Sequence, residues 1–268
     1  MSVQALYTAA TGMNALETRL DVIANNLANV NTTAFKGARC NFEDLYYRQL
    51  KLPGTQDALQ NYTPTGIAIG LGTRVQSTQT DFTQGAFQST DNPLDLAIDG
   101  PGFFVVIDPS TGQNMYTREG NFSVNANGQL VVGSAQTGFV LTPALQFQPD
   151  TINVSVSSDG NVTAQQSGTT QFSQVGSIQL ARFINPQGLL QMGQNMFSET
   201  LSSGPPTQAL PGQSGLGTLV SSTLELSNVS PVNELVNLIT TQRSFELNSQ
   251  AVQAGDQIMQ LINNLRRF

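Results

Sequence analysis

Two stretches at opposite ends of the chain carry apolar residues at helical spacing, and the stretch between them does not. In the first, Leu6, Ala9, Met13, Leu16, Leu20, Ile23, Leu27 and Val30 follow one another at alternating steps of three and four, the pattern of a heptad seam. It predicts a helix of about 28 residues, roughly 42 Å long at 1.5 Å per residue. The helix should end at Asn31-Thr32-Thr33, whose side chains compete for backbone hydrogen bonds. The last segment opens with Ser230-Pro231 and Glu234, an N-cap, a proline at the first helical position and an acid where the helix dipole favours it. Leu247, Ala251, Ala254, Ile258, Leu261, Leu265 and Phe268 repeat the heptad spacing, and Arg266-Arg267 close the segment with cations.

A long helix with a narrow apolar stripe needs a partner, and the simplest partner for the first is the last. Pairing them as a coiled coil joins residues 1–35 and 228–268 into one terminal-helix domain and makes the rest an insertion. That insertion has the strand period. Leu94, Leu96 and Ile98 alternate with polar residues, Gly100-Pro101-Gly102 turns the chain, and Phe103 to Ile107 is continuously apolar. Short strands follow in MYTR, NFSV and QLVVG, the last two joined by an Asn125 to Gly128 hairpin loop. Further strands are expected at 152–156, 162–165, 177–183 and 196–199, with Asp159-Gly160 turning between the first two. These place an all-β domain at residues 85–212, so the fold class is α+β. Residues 36–84 and 213–227 connect it to the helices. Within them Tyr46 to Thr73 forms an extended, β-rich segment too long for an ordinary loop and carrying Tyr46, Tyr47, Leu50, Leu52, Tyr62 and Ile67. Ser202 to Gly217, rich in Pro, Gly and Ser, reads as a linker.

Composition adds a second theme. Asn and Gln number 50, whereas Asp, Glu, Lys and Arg together number 29. A surface of neutral amides carries little like-charge repulsion and can hydrogen-bond to copies of itself, which favours self-assembly over a solitary soluble state. The amides concentrate in ANNLANVNTTAFKG, Ala24 to Gly37, where Asn25, Asn26, Asn29 and Asn31 fill four of fourteen positions although Asn is a poor helix former. These four are expected to face neighbouring copies of the chain, where amides can both give and accept hydrogen bonds and so set register. A net charge of −7 and the absence of any basic cluster beyond Arg266-Arg267 disfavour nucleic acid and anionic membrane as partners. No apolar run approaches the ~20 residues that span a bilayer, so direct membrane insertion is not expected. The first twenty residues show no basic region followed by an apolar one, so a conventional signal peptide is not expected there.

The chain has no His and a single Cys40. Serine and cysteine nucleophiles activated by His, His-ligated zinc and imidazole acid–base catalysis are therefore excluded. Asp91, Asp95 and Asp99 offer carboxylates, but residues four apart on one strand stand about 13 Å from each other, beyond the ~5–9.5 Å that glycoside cleavage uses. Asp108, Ser110, Gly112 and Glu119 match some positions of a calcium loop, without its glycine at position 6 and between strands where helices belong. No catalytic residue, cofactor or metal site is expected.

The motifs now combine. LDVIANNLANVNTTAFKG, Leu20 to Gly37, resembles the N-terminal signature of the flagellar rod and hook axial proteins. DLAIDGPGFFVV and YTREGNFSVNANGQLV are similar to that family's central motifs, and ELVNLITTQRSFELNSQAVQAGDQIMQ to its C-terminal helix. The resemblance covers nearly the whole chain, and FEDLYY together with the Tyr46 to Thr73 segment looks most like the distal-rod members. It implies a structural protein that passes through the flagellar type III export apparatus and stacks helically into a rigid hollow shaft across the periplasm. The terminal helices would line the inner tube, the β domain would form the outer wall, and Tyr46, Tyr47 and Tyr62 would belong to a wedge between subunits. The implied partners are further copies, other rod proteins, hook subunits and the outer rings. Hook or proximal-rod membership is the nearest alternative. A secreted glycan-binding or peptidoglycan-cleaving protein attached by its coiled coil is the alternative of another class.

Overall fold

The computed structural model describes residues 3–54, 56, 62, 64–132, 138–169 and 171–265. The chain divides into two compact units, one of Met1–Ala28, Ala38–Thr80 and Ser230–Phe268, the other of Asn29–Gly37 and Asp81–Val229.

The first unit holds α1 (Val3–Ala28), β1 (Ala38–Asp44), β2 (Tyr47–Lys51), β3 (Ile67–Gly70), β4 (Thr73–Thr80) and α2 (Pro231–Leu265). Helix α2 starts at the expected proline, and the Glu234 N–H donates to the Ser230 carbonyl at 3.0 Å, closing the first turn. The helices lie antiparallel and touch. A Cβ on Gly12 would meet the Asn248 side chain, and one on Gly255 would fall 2.4 Å from a Leu6 methyl, so the glycine lets the two helices approach. β1 and β4 pair antiparallel with a bulge at Asn41/Phe42 and rest on α1. Gly72 (φ +114°) runs beside α1, where any side chain would collide with the Thr11 hydroxyl. From there β2 and β3 continue the ribbon, paired Tyr47 to Gly70, with Gln56 bridging Tyr62 further out.

Among the described residues of the second unit, the regular elements are strands apart from one short 3-10 turn at Pro186–Gly188. In chain order its strands are β5 (Phe87–Ser89), β6 (Leu96–Asp99), β7 (Phe103–Ile107), β8 (Asn114–Thr117), β9 (Phe122–Val124), β10 (Leu130–Val132) and β11 (Phe139–Leu141). They are followed by β12 (Thr151–Val156), β13 (Asn161–Gln166), β14 (Phe172–Ser177), β15 (Leu180–Arg182) and β16 (Leu190–Gly193). The last are β17 (Met196–Ser198), β18 (Thr207–Ala209), β19 (Thr218–Ser221) and β20 (Thr223–Glu225). The main sheet runs β16-β17-β8-β7-β11-β10-β9, with β15 also on β7 and β18 on β15. β12, β13 and β14 form a separate meander, β19 pairs β6, and β20 pairs β5.

The run Phe103 to Ile107 is apolar at every position because both faces of β7 are covered. Phe104 and Val106 enter the larger core cluster, with Ile98, Leu130, Leu141, Val162 and Ile178. Phe103 and Val105 enter a smaller one with Tyr116, Phe183, Leu189 and Phe197, whose rings meet edge to face. The expected turns form at Gly100–Gly102, with φ of +106° and +148° at the glycines, and at Asn125 to Gly128, where the Gly128 N–H donates to the Asn125 carbonyl at 2.9 Å. The expected linker Ser202–Gly217 is folded instead: it contains β18, buries Ser203 and inserts Leu216 into the larger core. Its glycines and prolines serve tight turns between core positions rather than slack chain.

Candidate functional site

The α1 half of the expected helix seam turns inward. Ile23 is buried, and Leu6, Met13, Leu16, Leu20 and Leu27 are half-buried; Val30 lies past the helix, half-buried in the other unit. The α2 half is placed differently. Leu247 is 66% exposed and Leu261 63% exposed, Ala251 and Ala254 are exposed, and Ile258 is half-buried. The Leu265 side chain and Phe268 lie outside the described residues, as do Arg266 and Arg267. The covered face of α2 is instead Thr241, Asn248, Val252 and Gly255, offset by one residue from the expected positions. A second apolar stripe, Val232, Leu235, Val236 and Ile239, is exposed along its first three turns.

The four Asn residues divide. Asn25 and Asn31 are exposed, and Asn29 is half-buried with its Oδ1 accepting the Thr32 hydroxyl at 3.1 Å. Asn26 does not face outward. It is 3% exposed, its Nδ2 donates to the Ala38 carbonyl at 2.8 Å, and its Oδ1 accepts the Ala38 N–H at 2.9 Å. The amide matches both backbone groups of the first residue of β1 and anchors that strand to α1, so its hydrogen bonds are used within its own chain.

The ribbon presents side chains on both faces. Every residue of β2 is exposed, Tyr46 is 89% and Tyr62 70% exposed, and Leu50, Leu52 and Ile67 join them. Tyr47 bonds the Asp44 carboxylate, which holds its phenol above the ordinary value. An isolated two-stranded ribbon is marginal in water, and this one adds exposed aromatic and aliphatic area that ordinary monomer surfaces avoid in such density.

A third feature escaped the sequence reading. Glu225 of β20 is buried between two cations: its Oε1 accepts Lys36 Nζ at 2.5 Å and its Oε2 accepts Arg118 Nε at 3.0 Å. Lys36 also donates to the Thr83 carbonyl at 2.8 Å, Arg118 to the Gly100 carbonyl at 2.8 Å, and the Gly85 N–H reaches Glu225 at 2.9 Å. Burial pushes the Lys36 ammonium below its ordinary pKa, and the Glu225 carboxylate partly restores it. Beside the triad the Asn228 amide straps Gly37 N–H at 2.8 Å to the Asp81 carbonyl at 2.8 Å. Residues 36–37, 81–85, Gly100, Arg118 and 225–228 are thus fixed together. The available signal was a lysine set between Phe35 and Gly37 in a chain with only 11 Lys and Arg.

Nothing in this arrangement resembles a reaction centre. The triad is enclosed and saturated with protein partners, and no group of three or more His, Cys, Asp or Glu among the described residues could hold a metal ion. The Asp108 carboxylate is used by its own turn, accepting the Ser110 N–H at 2.9 Å and hydroxyl at 2.7 Å, which lowers its pKa. No helix among the described residues is long and apolar enough to cross a membrane.

Comparison with known proteins decides the family. Three family models match: the flagella basal body rod protein over residues 6–36, the flagellar hook protein FlgE/F/G D1 domain over 97–164, and the flagellar basal body rod FlgEFG protein C-terminal region over 220–265. The flagellar basal-body rod protein FlgG of Buchnera aphidicola subsp. Schizaphis graminum is 40% identical over 98% of this chain and 100% of its own length. FlgG of Caulobacter vibrioides is 41% identical over 98% of this chain and 100% of its own, and FlgG of Bacillus subtilis 37% over 99% and 100%. The chain belongs to the flagellar rod and hook family. It is a structural subunit of the flagellar distal rod in the basal body and not an enzyme.

Proposed function

We propose that copies of this chain stack helically into the rigid, hollow drive shaft that crosses the periplasm and carries motor torque to the hook. The unit of α1 and α2 pairs as a coiled coil and lines the inner tube, through which later subunits are exported. The central β domain forms the outer wall, and the Tyr46–Thr73 ribbon wedges between copies and keeps the shaft straight. The reading is carried by the surfaces left open in the single chain. The α2 stripe from Val232 to Ile239, the outward residues Leu247 and Leu261, and the two-faced ribbon all expose apolar side chains, and stacked copies would cover them. Asn25, Asn29 and Asn31 then supply hydrogen bonds between copies without the desolvation cost of unpaired charges. The partners in this reading are further copies, neighbouring rod proteins, hook subunits, the outer rings and the type III export apparatus.

Electron cryotomography of cells lacking the chain tests it. A basal body whose rod stops short, without complete outer rings or hook, is the expected result. A full-length ringed rod without a hook would move the chain to the hook class, and an intact flagellum would overturn the shaft reading.

A further inference from the structure

The chain passes between its two units four times, after residues 28, 37, 80 and 229. These crossings are the covalent links between the units, and three of them start from one place in the second unit. Gly37 is the last residue before the second crossing, Asp81 is the first after the third, and Asn228 stands one residue short of Val229, where the fourth begins. One side chain joins all three. The Asn228 Oδ1 accepts the Gly37 N–H at 2.8 Å, and its Nδ2 donates to the Asp81 carbonyl at 2.8 Å and to the Thr83 hydroxyl at 3.0 Å. A primary amide suits the place because it donates and accepts through one planar group.

The backbone repeats the linkage. Asp81 N–H donates to the Gly37 carbonyl at 2.8 Å, Asn228 N–H to the Phe35 carbonyl at 3.4 Å, Ala34 N–H to the Glu225 carbonyl at 2.8 Å and Leu226 N–H to the Ala86 carbonyl at 2.8 Å. Gly85 runs so close to the last passage that a Cβ on it would fall 1.9 Å from the Leu226 carbonyl oxygen. The buried triad then ties Lys36 and Glu225 to Arg118, which follows directly on β8 of the main sheet. On the side of the first unit, Asn26 grips Ala38 across the base of the loop 29–37, so the first crossing is held close to the second.

We propose that Asn228 is the positioning residue of a force-sharing joint, in which three crossings are held as one cooperative element on the triad; the inference rests on the shaft reading above. Proteins open locally in segments whose stability reflects their own contacts, so crossings anchored separately would yield one at a time. Here no passage leaves without breaking its bonds to the other two. Force on any one is therefore shared by all three. The triad adds to the resistance, because withdrawing Lys36 or Glu225 strands a charge in a buried site. Asn228 itself is half-buried and acts only through the passages it holds.

Hydrogen exchange of the purified full chain and motor rotation under load test the joint. Leu is close to Asn in size but can neither donate nor accept. In Asn228→Leu the amides of Ala34, Gly37, Asp81 and Leu226 should lose protection together, by at least about tenfold for several bonds lost at once, while those of β7 and β13 keep theirs. Loss confined to Gly37, or spread evenly over the unit, would overturn the proposal. In the unaltered chain the same four amides should open with one common dependence on denaturant, and separate openings would sink the idea without any variant. In cells, Asn228→Leu should build complete rods and turn a small bead normally, but stall when the cell body is tethered. Equal rotation at both loads, or failure to build rods, would overturn the joint and leave the shaft reading intact. Wild-type rods that lack the chain would overturn the shaft reading itself.

Discussion

Glu225 holds two buried cations with one carboxylate, and the surplus positive charge rests on the carbonyls of Thr83, Ile98 and Gly100. Removing one partner of a buried ion pair costs about 3–5 kcal/mol, because the remaining charge is stranded in a low dielectric, whereas replacing the whole set by apolar residues is often neutral or stabilising. Glu225→Gln should therefore destabilise the second unit by about 3–5 kcal/mol, and the triple change Glu225→Leu, Lys36→Met, Arg118→Met should recover most of that loss. Near-UV circular dichroism during urea unfolding reads this unit selectively, since Tyr116 is buried while Tyr7, Tyr46, Tyr47 and Tyr62 are exposed and the chain has no Trp. A triple variant no more stable than Glu225→Gln would mean that the shape of the site matters more than its charge balance. Asn26 shows the same limit of reading at this scale. Its place in a run of Asn suggested an outward amide, yet a side chain that donates and accepts in one plane suits a backbone N–H and C=O equally well, and only the return of β1 decides between them.

Helices α1 and α2 were legible because the 3.6-residue period and the Ser230-Pro231 start are local signals. The face that α2 turns to α1 was not. The apolar heptad points to Leu247, Ala251 and Ala254, but the covered positions are Thr241, Asn248, Val252 and Gly255, where small size counts for more than apolarity because the backbones approach closely. β1, β4, β5, β11, β14, β16, β18, β19 and β20 were also missed as separate strands. Most are short and polar and exist only through pairing, as β20 does with β5 and β18 with β15. Close approach at Gly255 makes a sharp prediction. A Cβ there would fall 2.4 Å from a Leu6 methyl, so Gly255→Val should cost about 1–3 kcal/mol by overpacking, although glycine itself is about 1 kcal/mol poorer than Ala in a helix. In a Leu6→Ala background the cost should shrink, giving a coupling of at least about 1 kcal/mol in a double-mutant cycle. Hydrogen exchange of the α1 amides measures it, and additive effects would place Leu6 and Gly255 apart in solution.

At the scale of the whole molecule, 50 neutral amides against 29 charged residues set how copies meet. In the proposed shaft, the exposed α2 stripe and the apolar side chains of the ribbon would supply most of the attraction between copies as buried apolar area, with Arg48 and Lys51 of β2 the exposed cations beside them. The charge that exists works the other way, since each chain carries a net −7 and like charges repel across the contact. Screening shortens from a Debye length of about 14 Å at ~0.05 M salt to about 4 Å at ~0.5 M. Over that range, self-association of the purified chain should hold steady or strengthen by less than about tenfold, and sulfate should favour it further by raising the cost of exposed apolar surface. Sedimentation at matched protein concentration reads this directly. Steep weakening with added salt would instead place attractive ion pairs at the contact, and the surfaces described here would no longer account for the assembly.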